Sequence, residues 1–496
     1  MNADATQSSM STMTPDTGFI TLDNDQGLRF SLPATRTCIS TFVLMEQGRW
    51  FEREVDFLHR FVTPGVTALD IGANVGVYAL PLGQLAGPTG RVYAYEPGCA
   101  NRRHLERSLV LNTLSNVEVS AAALSNFSGP GCLKLGDSGE LHQLVAAASH
   151  TDSIETVEVR TLDAEMLRQQ WLRVDFIKLD AEGQEQAILE GGAAFFERYS
   201  PLVMFEVKHG WNINLDLLAS FEALGFGVYR LLGDASLLVP FDTAEEIDPY
   251  ELNLFAVRPE QATELEARGL LTNGRENVAL TSSERAAAID AYCALPFARE
   301  MEISAQDVAE CPFGDALIGH SAHRFLPQLP PRRRFAILQD ALQEMLAYCS
   351  TSNSPAALSS LARIALDLGS RKVGNSVMQH LLDNEAEVID QPFLPVAARF
   401  EAIDVAPVEA WFLHSAAETF EQNRAYSSYF GHDLAQLESI AAHPHAAPAM
   451  LRRLIMAGLH DKLGPDHFRA TLARLHAAEP EGHAAWLDAL RHLDTT

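Results

Sequence analysis

One stretch constrains this chain more than any other: Val66-Thr-Ala-Leu-Asp-Ile-Gly-Ala-Asn-Val-Gly76. A short apolar run ends in Asp70, three turn-forming residues follow (Gly72, Asn74, Gly76), and a helical pattern begins. That is a strand, a tight glycine loop and a helix N-terminus, the part of an α/β sheet where small charged ligands bind. Glycine serves there because the backbone must turn sharply and leave open the space a Cβ would fill. Asp70 adds a carboxylate that a purely phosphate-binding loop would avoid. A ligand carrying an amine or a sulfonium is attracted to it, and a pyrophosphate is repelled.

From Val66 onward strands and helices alternate. Strand-like runs are read at Thr67–Ile71, 90–95, 117–122, 174–179, 201–206, 227–231 and 251–257. Helical patterns lie between them, at about 75–85, 100–111, from Asp163, at 184–191 and at 215–224. Pro81 should kink or shorten the first of these. Two more β-like segments, 131–135 and 156–161, either extend the sheet or form a hairpin insertion. The spacing predicts a mostly parallel sheet covered on both faces, with an antiparallel edge late in the chain. Ahead of it, residues 1–17 read as a disordered Ser/Thr/Asp-rich segment, 19–32 as a hairpin and 50–61 as a helix closed by Pro64-Gly65. Beyond Arg258-Pro259 strand-like runs vanish and Ala/Leu-rich helical patterns take over, beginning with a capping box at Thr281-Ser-Ser-Glu284. The expected organisation is therefore an α/β domain over 18–259 and an all-α domain over 260–496, helical-repeat-like in places but with no fixed period.

The totals narrow the function. A chain of 496 residues with formal charge −28 repels nucleic acid and anionic membrane surfaces unless a basic patch intervenes, and Arg332-Arg-Arg334 is small. Six widely spaced cysteines show no zinc spacing, and His443-Pro-His445, the nearest approach to a metal motif, reads as a polar loop. No metal is expected. The amino-terminal residues lack a basic region followed by an apolar one, and no run of about 18 apolar residues occurs, so a cytoplasmic protein without a membrane span is expected.

Chemistry should sit beyond the carboxyl ends of the strands. Asp70, Glu96, Ser125-Asn126, Asp180-Ala-Glu182 and Glu206 all fall there. Glu96, followed by Pro97, makes a poor helix cap but can accept both hydroxyls of a ribose. Ser125 and Asn126 read equally well as turn residues. Asp180, Glu182, Glu206 and His209 are the candidate proton acceptors, although a solvated loop histidine is the commoner role for His209. Lys178 alternates with Ile177 and Leu179, so it points to the other face of the sheet, as a structural lysine or as part of the site.

Taken together, Asp70-Ile-Gly-Ala-Asn-Val-Gly76, Glu96-Pro97, Ala123-Leu-Ser125 and Ile177-Lys-Leu-Asp-Ala-Glu-Gly183 resemble the FkbM family of S-adenosylmethionine-dependent methyltransferases. Leu109-Val-Leu-Asn112 and Val159-Arg-Thr-Leu-Asp163 extend the likeness, which covers about residues 45–257. The resemblance implies a class I methyltransferase fold, Rossmann-like, with a seven-stranded sheet whose last strand is antiparallel. It implies S-adenosylmethionine as cofactor, with Asp70, Gly72 and Gly76 at its amino-acid end and Glu96 at its ribose. Asn74 would lie near by, and Ser125 and Asn126 toward the adenine, where Asn126 replaces a more usual Asp. Asp180, Glu206 and His209 are then the candidates for catalysis.

The expected activity is O-methylation of a hydroxyl on a sugar, glycan or secondary metabolite. The helical half would bind the small-molecule or glycan acceptor, a protein partner or a second copy. Two other readings compete. An NAD-binding oxidoreductase could use Glu96 on a ribose, but it calls for a GxGxxG turn without Asp70 ahead of it. A non-catalytic binding module would keep the fold and work through its helices.

Overall fold

The computed structural model describes residues 18–136, 142–145, 154–209, 212–233, 236–241, 248, 251–273, 278–384, 389, 391–402 and 408–493. Its central sheet has eight strands. In chain order these are β1 (Thr67–Ile71), β2 (Arg91–Tyr95), β3 (Val117–Ser120), β4 (Phe176–Leu179), β5 (Leu202–Glu206), β6 (Gly227–Leu232), β7 (Leu237–Pro240) and β8 (Asn253–Val257). Their spatial order is β7-β6-β8-β5-β4-β1-β2-β3. Strands β1 to β5 run parallel, and β8, β6 and β7 are antiparallel. This is the class I methyltransferase sheet expected above, with one strand more. The extra strand, β7, ends in Pro240 at the sheet's edge, the position where a missing N–H leaves no ladder bond unmade.

Alternation along the strands assigns the two faces. Leu69, Ile71, Ile177, Leu179, Val203 and Phe205 pack under Phe195, Phe196 and Phe221 on one side. Ala68, Ala94, Phe176, Met204 and Phe255 pack against Phe57, Leu58, Phe61 and Leu82 on the other. Asp70 and Lys178 belong to the second side and lie opposite each other in the β1–β4 register. The segments at 129–134 and 154–160 join 123–124 and 143–145 in a separate four-stranded sheet rather than extending the main one.

The first helix of the sheet begins later than its sequence suggests, at Ala79, and runs to Ala86. Asn74 (φ 49°) and Gly76 (φ 100°) hold the preceding residues in a left-handed turn. Pro81 therefore falls in the first helical turn, where its absent N–H has no partner to miss, and the helix is shortened rather than kinked.

Helices fill the described residues of the carboxy-terminal half, as its Ala/Leu-rich patterns predict, and Ser282–Cys293 starts with the Thr281/Glu284 capping box. Pro331, Pro355, Pro448 and Pro480 each open a helix, as proline at the first position favours. The sequence patterns do not predict the helices Ile39–Gln47, Ala193–Arg198, Pro259–Ala267, Ala305–Glu310 and Gly314–Phe325. Residues Ser40 to Glu46 are all buried, so no polar face marks a helical period there. The last helices return to the beginning of the chain. Helix Pro448–His460 contributes Leu451, Leu454 and Ile455 to the core that holds Phe42 and Met45, and Trp486 Nε1–H donates to the Met45 carbonyl at 2.7 Å.

Candidate active site

The glycine loop, the ends of β2, β4 and β5, and the segment Trp50–Glu52 surround a cavity of about 360 Å³. Gly72, Asn74, Glu96, Asp180 and Glu206, all singled out from the sequence, line it together. Gly72 has φ 81°, and a Cβ there would stand 1.8 Å from the Asp180 carbonyl oxygen, so the β1 and β4 ends approach as closely as only glycine permits.

Glu96 is buried at 5% exposure, yet each of its oxygens has a donor: Asn74 N–H at 2.8 Å on one and Gly98 N–H at 2.7 Å on the other. Burial raises its pKa to about 7, and these two N–H groups hold it from rising further. The carboxylate keeps lone pairs free for two hydroxyl donors, as a ribose would offer. Asn74 Oδ1, also buried on this wall, has no hydrogen-bond partner among the described residues and can accept from an ammonium. Ala122, Ala123, Leu124, Leu133 and Leu144, with the ring of His142, form an apolar wall beside Glu96 and Pro97. Acceptor pair, orphaned carbonyl and apolar slot together fit an adenine nucleoside bearing an amino-acid tail.

At the other end of the cavity the charges are coupled. Lys178 Nζ contacts Asp180 Oδ2 at 2.8 Å and the Gly72 carbonyl at 3.3 Å, with the lysine side chain 6% exposed. Burial opposes its charge, but Asp180 and Asp70 outweigh that and raise its pKa, so it stays an ammonium. Burial, then repulsion from Asp180 and Glu182, drives the Glu206 pKa well above the usual carboxylate range. Glu206 is thus a neutral acid beside an ion-paired Asp180. Tyr78 O–H donates to Glu52 Oε2, which also accepts from Trp50 Nε1–H at 3.0 Å.

Asp70 stands apart. It is fully buried beneath the loop, does not line the cavity, and neither oxygen has a hydrogen-bond partner among the described residues. Burial raises its pKa to about 6, against the pull of Lys178. Gly76 turns away from the cavity, its missing Cβ making room for Leu80 and Leu105. Ser125 donates to Gln184 Oε1 at 3.0 Å behind the wall, and Asn126 is exposed, donating to Glu190 Oε2 at 2.9 Å. The backbone of His209 pairs with Asn212, and its side chain lies outside the described residues. Sequence reasoning missed Glu52 and Tyr78, which sit in runs that read as plain amphipathic helix, and Phe430, supplied from the helical half.

Among the described residues no helix is long and apolar enough to cross a membrane. Among the described residues His432, His460 and Asp461 lie close enough together to approach a metal ion, and none of them lines this cavity.

Residues 70–228 match the Methyltransferase FkbM domain family. No curated protein sequence matches the chain. Solved structures that resemble it include the methyltransferase FkbM from Methylobacillus flagellatus KT, at 18% identity over 39% of this chain and 43% of that one, TM-score 0.27. A S-adenosylmethionine-dependent methyltransferase from Aquifex aeolicus is 15% identical over 43% of this chain and 90% of its own, TM-score 0.25. A S-adenosylmethionine-dependent O-methyltransferase from Thermotoga maritima is 14% identical over 42% and 64%, TM-score 0.24. The chain thus spans under half the length of the first of these. It is the family match, over the segment that carries the glycine loop, Glu96 and Asp180, that makes residues 70–228 similar to the Methyltransferase FkbM domain.

Proposed function

We propose that this protein methylates a hydroxyl oxygen of a sugar, glycan or secondary metabolite, with S-adenosylmethionine bound in the 360 Å³ cavity. The observation that carries the reading is Glu96, held by Asn74 and Gly98 at one end of a cavity whose other end is Gly72 and Asp180. Glu96 would hold the ribose, Asn74 Oδ1 and the Gly72 turn the amino-acid end, and the Ala122–Leu124 wall the adenine. Bound there, the cofactor supplies an electrophilic methyl group.

The chain's own residues do the rest. Asp180 takes the proton of the acceptor hydroxyl as the new carbon–oxygen bond forms. Lys178, fixed on Asp180 Oδ2 and the Gly72 carbonyl, is a positioning residue that aims this carboxylate. Glu206, neutral, can donate a hydrogen bond to the acceptor oxygen's neighbourhood without adding repulsion. Holding the acceptor oxygen about 3 Å from the methyl carbon supplies the larger share of the rate. Residues 18–259 would carry the transfer and 260–496 the acceptor contacts, since Phe430 already reaches this cavity.

Calorimetry on the full chain tests the cofactor. S-adenosylhomocysteine should bind, NAD should not, and Glu96→Ala should lose most of the affinity. Transfer of labelled methyl from S-adenosylmethionine to glycans or small metabolites of a cell extract tests the acceptor class. Binding of NAD in preference would overturn the reading.

A further inference from the structure

A second cavity, about 570 Å³, adjoins the first and shares Phe51, Glu52 and Leu252 with it. One wall is the sheet edge and its approach: Glu54, Leu231, Glu251 and Asn253. The opposite wall comes from the helical half: Arg363, Leu366, Thr419, Gln422 and Tyr426. Its size suits a small-molecule ligand.

The charges lining it differ in how they are paired. On the helical side Arg324 pairs with Glu401 at 2.5 Å, Arg363 with Glu401 and Asp367 at 2.9 Å each, and Arg399 with Glu418. Arg371 lies over the Tyr426 ring, 4.9 Å from its centroid. On the sheet side, among the described residues, no cation comes within ion-pair distance of Glu52, Glu54 or Glu251, although Arg230 and Arg371 stand near enough to Glu251 to attract it. Thr419 Oγ1, in a side chain 3% exposed on the helical wall, has no hydrogen-bond partner among the described residues. A buried hydroxyl left without a partner points to a ligand that supplies one.

We propose that this second cavity holds the methyl acceptor, and that the acceptor bears a primary amine which the carboxylates Glu52, Glu54 and Glu251 receive as an ammonium while Thr419 bonds one of its hydroxyls. The proposal rests on the methyl-transfer reading above and adds the chemical class of acceptor. Burial, followed by repulsion from Glu52, raises the Glu54 pKa to about 8, and burial raises Glu251 to about 7. A cation seated between them removes that repulsion and restores their charge.

The test uses the full chain saturated with S-adenosylhomocysteine and two probes that differ only at nitrogen, glucosamine and N-acetylglucosamine. Calorimetry should find glucosamine at least tenfold tighter. Glu54→Gln combined with Glu251→Gln should remove the difference while S-adenosylhomocysteine affinity stays within twofold, and Thr419→Val should weaken glucosamine several-fold by itself. Equal affinity for the two sugars, preference for the acetylated one, or binding of neither overturns the amine assignment. Failure of the unaltered chain to bind S-adenosylhomocysteine overturns the reading beneath it instead.

Discussion

Glu46 and Arg453, 407 residues apart, form an ion pair out of reach of water: Nε to Oε1 is 2.6 Å and neither side chain is more than 2% exposed. Ser427 O–H and Ser428 O–H donate to the same carboxylate at 2.6 and 2.7 Å, and Arg453 also donates to the Glu421 carbonyl at 2.8 Å. Removing either Glu46 or Arg453 strands the other's charge. Glu46→Leu or Arg453→Met alone should cost about 3–5 kcal/mol, read by urea denaturation. The two together should cost less than the sum, since the Glu46–Arg453 charges go as a pair and Glu421 keeps Arg424 at 3.3 Å.

Gly72→Ala should abolish the site without touching a charged group. Its Cβ would meet the Asp180 carbonyl at 1.8 Å from a backbone at φ 81°, and backbone on both sides leaves no flexible side chain to yield. Loss of S-adenosylhomocysteine binding in calorimetry, with a lowered unfolding midpoint, is the expected result.

Cofactor affinity should rise with pH. Glu96 has a pKa of about 7, raised by burial, and it accepts hydroxyl donors best when charged. Binding measured across neutral pH should therefore tighten as pH increases. Glu96→Gln should flatten that dependence and weaken binding by roughly ten- to a hundredfold, the worth of a charged hydrogen bond.

Asp180→Asn should lower kcat by about 10²–10⁴-fold, the usual contribution of a positioned base. Affinity for S-adenosylhomocysteine should change far less. Lys178→Met should give a smaller loss and a shifted pH–rate profile, because the carboxylate it aims loses its partner at 2.8 Å.

Stability should fall as pH rises through neutrality. Asp70, Glu96, Glu251 and Glu54 have folded pKa values of about 6, 7, 7 and 8, all raised chiefly by burial. The folded state then holds more protons than the unfolded one, so the stability these groups lend is full below their unfolded pKa of about 4 and is lost on passing the folded values. Thermal midpoints should decline from about pH 7 to pH 8, above the range in which His320, His323 and His443, held low by burial, add stability as pH rises. Glu54→Gln with Glu251→Gln should reduce that slope.

What could be read in advance follows from locality. The glycine loop, Glu96 and Asp180 announce themselves because each ends a strand, and strand ends converge on one edge. The Thr281 capping box and the proline-led helices carry their own start signals. The sequence marks Asp70 and Gly76 as chemistry-bearing, but Asp70 ends strand β1 opposite Lys178 and Gly76 makes room for Leu80. No pattern in the chain connects Glu52 or Phe430 to the cavity, since only tertiary packing brings them there. Helix Ile39–Gln47 hid for the opposite reason, being enclosed on every side.

The docking of helices 448–460 and 480–492 on Ile39–Gln47 has a consequence for synthesis. A ribosome delivers the hairpin, the sheet and its ligand loop with their apolar outer flank bare, and the cover for that flank arrives only after the other helices between them. Nascent chains must stay free of aggregation until helix 480–492 has emerged, so chaperone occupancy should persist until that point.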